Sequence, residues 1–284
     1  AIYLEDEELA IAKIGRDIRI RKIYNDSKVS PNVQALQMNL SQIEKEGFDH
    51  FMLKEIFEQP KAILDTYRGR LLPNEGIVRL AGVEEYIEKF KNADRILIIA
   101  CGTSWHAGLV AEYLFEAVSR IPVEVEYASE FRYRNPIITE KDVVIAISQS
   151  GETADSLAAI KMAKAQGAYV FGVCNVVGSS IARASHSGAY THAGPEIGVA
   201  STKAFTTQIT LLTLIALKLG KEKGTLSNSN FHAYLQQMEL IPAKVEEILA
   251  QDDKIKTIAS EFLTTPSCLF LGRGYNFPVA LEGA

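Results

Sequence analysis

The stretch that most constrains the fold is an uninterrupted apolar run that leads directly into a loop of small hydroxyl residues. Residues 143–147 are all β-branched or small, which is typical of a strand buried on both faces of a parallel sheet. Residues 154–166 then carry apolar side chains at helical spacing before Gly167, so the loop 148–153 is predicted to open a helix. Strand, short loop and helix in this order indicate an α/β sandwich.

The hydroxyl residues of this loop predict an anion site. Ser148, Ser150 and Thr153 cluster at the expected start of the helix. There, unpaired backbone N–H groups and the positive end of the helix dipole favour a phosphate, and hydroxyl groups can donate to its oxygens. Gln149 can both donate to and accept from the same ligand. The alternative is that these hydroxyl groups only cap the helix, as they often do at such turns.

A second loop of the same kind favours the anion site. Residues 95–101 form another buried-strand pattern, Thr103 and Ser104 follow it, and a helical pattern begins at once. In a doubly wound sheet, ligands bind at the carboxyl ends of strands where the winding reverses, so both loops would face one crevice. Neither loop has a dinucleotide or nucleotide-triphosphate signature, and no paired aspartates for magnesium lie nearby. We therefore expect a sugar phosphate or similar metabolite, no cofactor and no metal ion.

The remaining pattern predicts a three-layer α/β sandwich around a five-stranded parallel sheet. Strands are predicted at 95–101, 122–127, 142–148, 168–174 and 188–192, and helices at 105–119, 154–166, 179–185 and 202–220. Helices are also expected over 45–74, with a break or a new start at Pro60, and over 230–264, followed by a further strand at 267–272. Residues 1–44 differ, because they suggest short alternating strands and the start of a polar helix at 41–46.

Six strings in the sequence match one known family. They are HFMLKEIFEQP (50–60), CGTS (101–104), ASEFRYR (128–134), SQSGET (148–153), GVASTKAFTTQ (198–208), and LGRG (271–274) followed by ALEGA (280–284). The chain thereby resembles the sugar isomerase (SIS) half of glutamine–fructose-6-phosphate aminotransferase (isomerising), also called glucosamine-6-phosphate synthase. SQSGET alone would indicate any sugar-phosphate SIS domain, whereas EIxEQP and GVASTKAFTTQ are typical of the aminotransferase.

The resemblance also implies a domain organisation. Residues 1–44 would be the C-terminal end of a glutaminase domain with its linker, 45–80 a helical lead-in, 81–225 the first SIS domain, 226–264 connecting helices, and 265–284 the truncated start of a second SIS domain. A weak internal sequence repeat agrees with a second copy of the SIS domain, since Gly272 aligns with Gly102 and Glu282 with Glu112.

In function, the resemblance implies formation of glucosamine 6-phosphate from fructose 6-phosphate and glutamine. The implied substrate-binding residues are Thr103, Ser104, Ser148, Gln149, Ser150, Thr153, Val199 and Ser201. The family's main catalytic groups match no position of this chain, which we expect to be inactive alone. Glu282 is a candidate catalytic residue, or else a charge that caps a helix or faces solvent.

Two further residues leave alternatives open. Lys203 either steers a phosphate or is solvated, and a lone lysine at a helix start favours the second reading. His106 has no partner at metal-ligand spacing, so packing or surface roles are expected for it.

A second hypothesis is an SIS module that senses a phosphosugar without catalysis. Regulators of that kind carry a DNA-binding helix-turn-helix, whereas this chain carries a glutaminase-like segment. We also expect a homodimer, because SIS domains usually dimerise around their sugar sites and the helices near 202–220 and 230–250 are apolar.

Composition limits the class of protein. With 284 residues and 47% hydrophobic content the chain can bury a substantial core. A net charge of −5 and a pI near 5.7 disfavour a nucleic-acid partner, which needs clustered cations. The longest apolar run, near Leu211, is too short for a bilayer and Ala1 begins no signal peptide, so we expect a cytoplasmic protein without a membrane partner. Cys101, Cys174 and Cys268 are expected to be reduced packing residues.

Overall fold

The computed structural model describes residues 2, 4–30 and 44–284. The chain divides into two compact units, Ala1–Glu44 and Lys45–Ala284. The first contains an antiparallel sheet in the order β1-β2-β3, formed by β1 (Glu8–Ile11), β2 (Arg19–Lys22) and β3 (Lys28–Val29). Of the helix start expected at 41–46, residues 41–43 lie outside the described residues and 44–46 are not helical.

The second unit begins with helices that lead into the sheet. Pro60 lies in the first turn of the second helix, where its missing N–H costs no hydrogen bond. Of the two alternatives predicted at Pro60, the structure therefore has the new helix start. The elements before the sheet are α1 (Phe51–Phe57), α2 (Gln59–Tyr67), β4 (Leu71–Leu72), β5 (Ile77–Val78), α3 (Ala81–Glu84) and α4 (Ile87–Lys91). β4 and β5 pair as a small antiparallel hairpin.

The centre of this unit is a five-stranded sheet whose neighbouring strands are all parallel, in the order β10-β9-β8-β6-β7. The prediction of a five-stranded parallel sheet is therefore confirmed. The strands are β6 (Arg95–Ala100), β7 (Val123–Tyr127), β8 (Asp142–Ser148), β9 (Tyr169–Cys174) and β10 (Ser187–Tyr190).

Helices cover both faces of the sheet. They are α5 (Thr103–Val118), α6 (Ala128–Tyr133), α7 (Ala154–Ala165), α8 (Ser180–Ala184) and α9 (Lys203–Lys223). Successive residues of β8 enter different cores: Ile145 packs with Phe115 and Leu211, whereas Val144 packs with Ile160 and other residues of α7. This alternation produces the predicted three layers. α9 ends at Gly224, which adopts a left-handed conformation suited to a helix C-terminus.

The last quarter of the chain is helical and largely exposed. It contains α10 (Asn228–Glu239), α11 (Ile241–Leu249), α12 (Asp252–Ser260) and α13 (Asn276–Gly283). The strand predicted at 267–272 is wrong, because this segment has no regular structure and Leu269 and Leu271 are each 88% exposed. A strand is held by hydrogen bonds to a neighbouring strand, and the large sheet ends at β7 and β10.

Among the described residues, no helix combines the length and apolar character that crossing a bilayer requires.

Candidate functional site

The candidate site lies at the carboxyl ends of β6 and β8, the adjacent strands between which the winding of the sheet reverses. A pocket of about 270 Å³ opens there. All eight residues predicted to bind substrate line it, together with Cys101, Gly102 and Ile147. The eight are Thr103, Ser104, Ser148, Gln149, Ser150, Thr153, Val199 and Ser201.

A larger open cavity of about 620 Å³ lies on the first unit, lined by Gly15, Arg16, Asp17 and Arg19. It lies beside a small antiparallel sheet and has no helix N-terminus in its lining. The chemistry predicted from the sequence therefore belongs to the smaller pocket.

The first wall of the pocket is the start of α5. Gly102 adopts φ +55°, and the first-turn N–H groups of the helix follow it directly. Ser104 is 6% exposed, and its Oγ accepts a hydrogen bond of 3.0 Å from Gln208 Nε2. Because the amide supplies that proton, the Ser104 hydroxyl keeps its own proton for a ligand oxygen.

The second wall is the loop from β8 to α7. Ser148 Oγ accepts from the Gly151 N–H at 2.9 Å and lies 3.1 Å from Thr153 Oγ1. Gly151 has φ +68°, and a Cβ at this position would collide with the Ser179 side chain, so the tight turn requires glycine. Thr153 is the N-cap residue of α7 but makes no side-chain capping bond. Simple capping therefore does not explain its hydroxyl, which is directed to Ser148 beside the pocket.

Among the residues that the structure describes, no lysine or arginine lines this pocket. Lys203, the basic residue nearest in sequence to the lining residue Ser201, is 3% exposed and forms a 2.5 Å ion pair with Glu58. The expectation that Lys203 is solvated is therefore wrong, and its charge is neutralised by a carboxylate. An anion in the pocket would be held by hydroxyl groups, by backbone N–H groups and by the positive N-terminal ends of the α5 and α7 dipoles.

Comparison with known proteins identifies the family. The SIS domain model matches residues 89–218. The chain is 53% identical over 283 residues to the glutamine–fructose-6-phosphate aminotransferase (isomerising) of Bacteroides thetaiotaomicron, and 54% identical over 283 residues to that of Chlorobaculum tepidum. Each alignment covers all of this chain and 46% of the relative.

A solved structure agrees with the sequence relatives. The C-terminal domain of the glucosamine-fructose-6-phosphate aminotransferase from Francisella tularensis superimposes with a TM-score of 0.80 at 40% identity, over 85% of this chain and 67% of that one. The chain belongs to the glutamine–fructose-6-phosphate aminotransferase family. It spans about half the length of the curated relatives that it matches.

Glu282, which the aminotransferase resemblance marks as a candidate catalytic residue, lies beside the pocket without lining it. Thr103 Oγ1 donates to Glu282 Oε1 at 2.7 Å, and His106 Nδ1 lies 2.5 Å from Glu282 Oε2. The carboxylate is therefore paired with a pocket residue and an imidazole, which excludes the reading of a solvent-facing charge. His106 also has a specific partner, which the sequence did not reveal because α13 is far along the chain. A catalytic role for Glu282 stays a prediction.

The three cysteines of the chain occupy different environments. Cys174 is buried, and burial raises the pKa of its thiol to about 11. Cys101 lines the pocket and is half-buried, whereas Cys268 is exposed. The packing prediction is confirmed for Cys174 and wrong for Cys268. In the part of the chain that the structure describes, no three His, Cys, Asp or Glu side chains are grouped as metal ligands.

We expect Ser148→Ala and Thr153→Ala each to weaken binding of fructose 6-phosphate. A lost neutral hydrogen bond costs about 0.5–1.5 kcal/mol, or about twofold to twelvefold in Kd, and more where a phosphate makes the bond charge-assisted. Titration calorimetry measures the change. Thr213→Ala is the matched control, because its hydroxyl bonds only to the Ile209 carbonyl within α9. Unchanged affinity in both pocket variants would contradict the site.

Proposed function

We propose that this chain carries the sugar-phosphate-binding part of a glutamine–fructose-6-phosphate transaminase (isomerising). In the parent protein, fructose 6-phosphate and glutamine would yield glucosamine 6-phosphate for amino sugar (UDP-GlcNAc) biosynthesis in the cytoplasm. The observation that carries the proposal is the gathering of all eight predicted binding residues around one pocket at the switch point of the sheet. Family membership supports the choice of substrate.

The size and chemistry of the pocket suit a hexose phosphate. Its volume of about 270 Å³ is close to the lower limit of about 300 Å³ for small-molecule sites, which favours a compact metabolite over a dinucleotide. The phosphate would lie at the start of α7, near Ser148, Ser150 and Thr153. The sugar would then extend towards Val199 and Ser201, where a hydroxyl and backbone groups can bind its hydroxyl groups.

Binding and catalysis are separable in this chain. Isomerisation needs a base that transfers a proton between C1 and C2 of the sugar. Conversion of the ketone to an amine needs further acid–base groups. Near the pocket, Glu282 with His106 is the candidate acid–base pair, while the Lys203 ammonium is held by Glu58. The other catalytic groups of the family match no position of this sequence. We therefore propose that the 284-residue chain binds its ligand without turning it over.

The domain assignment belongs to the same proposal. Residues 1–44 would end a glutaminase domain, 45–80 lead into the isomerase half, 81–225 form the first SIS domain, and 226–264 connect it to a second, which begins at 265–284. The division of the chain at Glu44 supports the first of these boundaries.

We expect no glucosamine 6-phosphate when the chain is incubated with fructose 6-phosphate and ammonia, because the groups that complete the chemistry are lacking. Chromatographic detection of the product checks this. Calorimetry on the same preparation is the control, since protein that binds fructose 6-phosphate is correctly folded. Product above the buffer background would show that the catalytic groups are already present in this chain.

A regulatory SIS module without catalysis is the second candidate function. The observation that favours it is the pocket lining itself, which among the described residues contains hydroxyl, amide and backbone groups and one thiol, Cys101, but no carboxylate, imidazole or amine. Sugar-phosphate binding together with no transaminase activity in the parent protein would support this reading instead.

We expect a dimer or larger species in solution. The exposed faces of α11 and α12 and the segment after them carry many apolar side chains, including Ile248, Ile255, Phe262, Leu269 and Leu271, and exposed apolar patches tend to associate. Light scattering at micromolar concentration measures the mass.

Ile248→Lys should shift the mass towards a monomer, because it places a charge within the apolar face. Glu247→Lys on the same exposed helix is the matched control and should not change the mass. A monodisperse mass near 31.3 kDa for the unaltered chain would contradict the expectation.

A further inference from the structure

The carboxylate of Glu55 makes an unusual contact with the loop that closes one side of the pocket. Glu55 lies on α1 and is 2% exposed. Its Oε1 accepts hydrogen bonds from the Ile197 N–H at 2.5 Å and the Gly198 N–H at 3.1 Å, and its Oε2 lies 3.1 Å from the same Gly198 nitrogen. The side chain thus binds backbone directly before Val199, a lining residue of the pocket.

The other end of this loop is also fixed by a carboxylate. Glu196 Oε1 accepts from the N–H groups of Thr202 at 2.8 Å and Ala204 at 3.2 Å, at the start of α9. The ion pair of the buried Lys203 with the partly exposed Glu58 anchors the first turn of the same helix to the junction of α1 and α2. Between these anchors, Val199 is fully exposed at the pocket.

The geometry at Gly198 shows how closely the loop approaches Glu55. A Cβ on Gly198 would lie 2.5 Å from Glu55 Oε2 and 3.4 Å from the Met52 Cα. Gly198 is not in the left-handed region, so the requirement for glycine comes from this approach and not from backbone strain.

Burial makes the contact energetically important. A carboxylate removed from water is costly unless hydrogen bonds satisfy it. If the loop moved away, Glu55 would lose both of these backbone donors. The position of the loop is therefore coupled to the Glu55 charge, although Glu55 itself does not line the pocket.

We propose that Glu55 is a positioning residue for sugar recognition: it holds the 197–201 backbone so that Val199 and Ser201 face the sugar of a phosphosugar bound at the α7 terminus. This inference rests on the proposed function. It divides the pocket into two parts, because the phosphate would be bound between the end of β8 and the start of α7, whereas the sugar depends on the loop that Glu55 holds.

The test compares two ligands on the same variants. Glu55→Gln replaces one acceptor oxygen with an NH₂ group that faces the loop N–H groups. We expect its Kd for fructose 6-phosphate to rise about tenfold, while its Kd for inorganic phosphate changes less than about twofold. Gly198→Ala disrupts the same contact from the loop side and should give the same selective loss of affinity for fructose 6-phosphate. If Glu55→Gln does not fold, Gly198→Ala tests the positioning role on its own.

Asp142→Asn is the matched control for loss of a buried carboxylate. Asp142 is 3% exposed, pairs with Arg95, and lies at the start of β8, whereas Ser148 lies at its end. The variant should have a lower Tm and unchanged Kd for both ligands. A selective loss of sugar affinity in Asp142→Asn would overturn the proposal, because general destabilisation would then explain the effect.

The remaining outcomes separate this inference from the proposed function. Unaltered protein that binds fructose 6-phosphate, together with Glu55→Gln and Gly198→Ala variants that keep the ratio of the two affinities, overturns the role of Glu55 alone. Unaltered protein that binds no fructose 6-phosphate overturns the proposed function and this role with it. Selective loss of sugar affinity in the contact variants, absent from the control, supports the positioning role.

Discussion

Burial of the central strands on both faces is the constraint on which the rest of the structure depends. Every residue of β8 is buried, and its alternate side chains enter two different cores. A parallel sheet covered on both faces needs a crossover helix after each strand. The starts of α5 and α7 therefore lie together beside β6 and β8, at the reversal of the winding. The position of the pocket is a consequence of how this sheet must be wound, and the loop sequences determine its chemistry and its detailed shape.

The proposed anion site differs from many phosphate sites because the lining that the structure describes contains no lysine or arginine. Its polar groups are hydroxyl, amide and backbone groups, and Lys203 is neutralised by Glu58. Neutral hydrogen bonds contribute about 1 kcal/mol each, so affinity would come from several aligned donors and from the helix dipoles. Such contacts also have direction, which a flexible ammonium group lacks. The site is thus suited to orienting a phosphosugar as well as binding it.

The sequence predicted those features that depend on neighbouring residues. The apolar run of β8, Gly102 and the hydroxyl residues of both loops are local signals, and they located the sheet and two walls of the pocket. Val199 and Ser201 came from the family resemblance instead. The contacts that sequence reasoning missed join distant segments: Glu55 to Gly198 across 143 positions, Lys203 to Glu58 across 145, and His106 to Glu282 across 176. The EIFEQP string contains Glu55 and Glu58, so it marked one residue of each of the first two contacts. A motif alone does not show which distant residue its side chains will contact. The strand expected at 267–272 failed for a related reason, because a strand pattern does not reveal whether a neighbour is present.

Two carboxylates near the pocket differ in what their surroundings allow. Glu55 is enclosed, and its partners are backbone N–H groups that can move only with the whole loop. Glu282 is partly exposed, and its partners are a threonine hydroxyl and an imidazole, both of which can exchange one hydrogen-bond partner for another by rotation or proton transfer. An arriving sugar hydroxyl can therefore compete for Thr103 without disturbing the fold, whereas displacing the partners of Glu55 would require the loop to move. Burial thus suits Glu55 to fixing the shape of the pocket and Glu282 to responding to what the pocket contains.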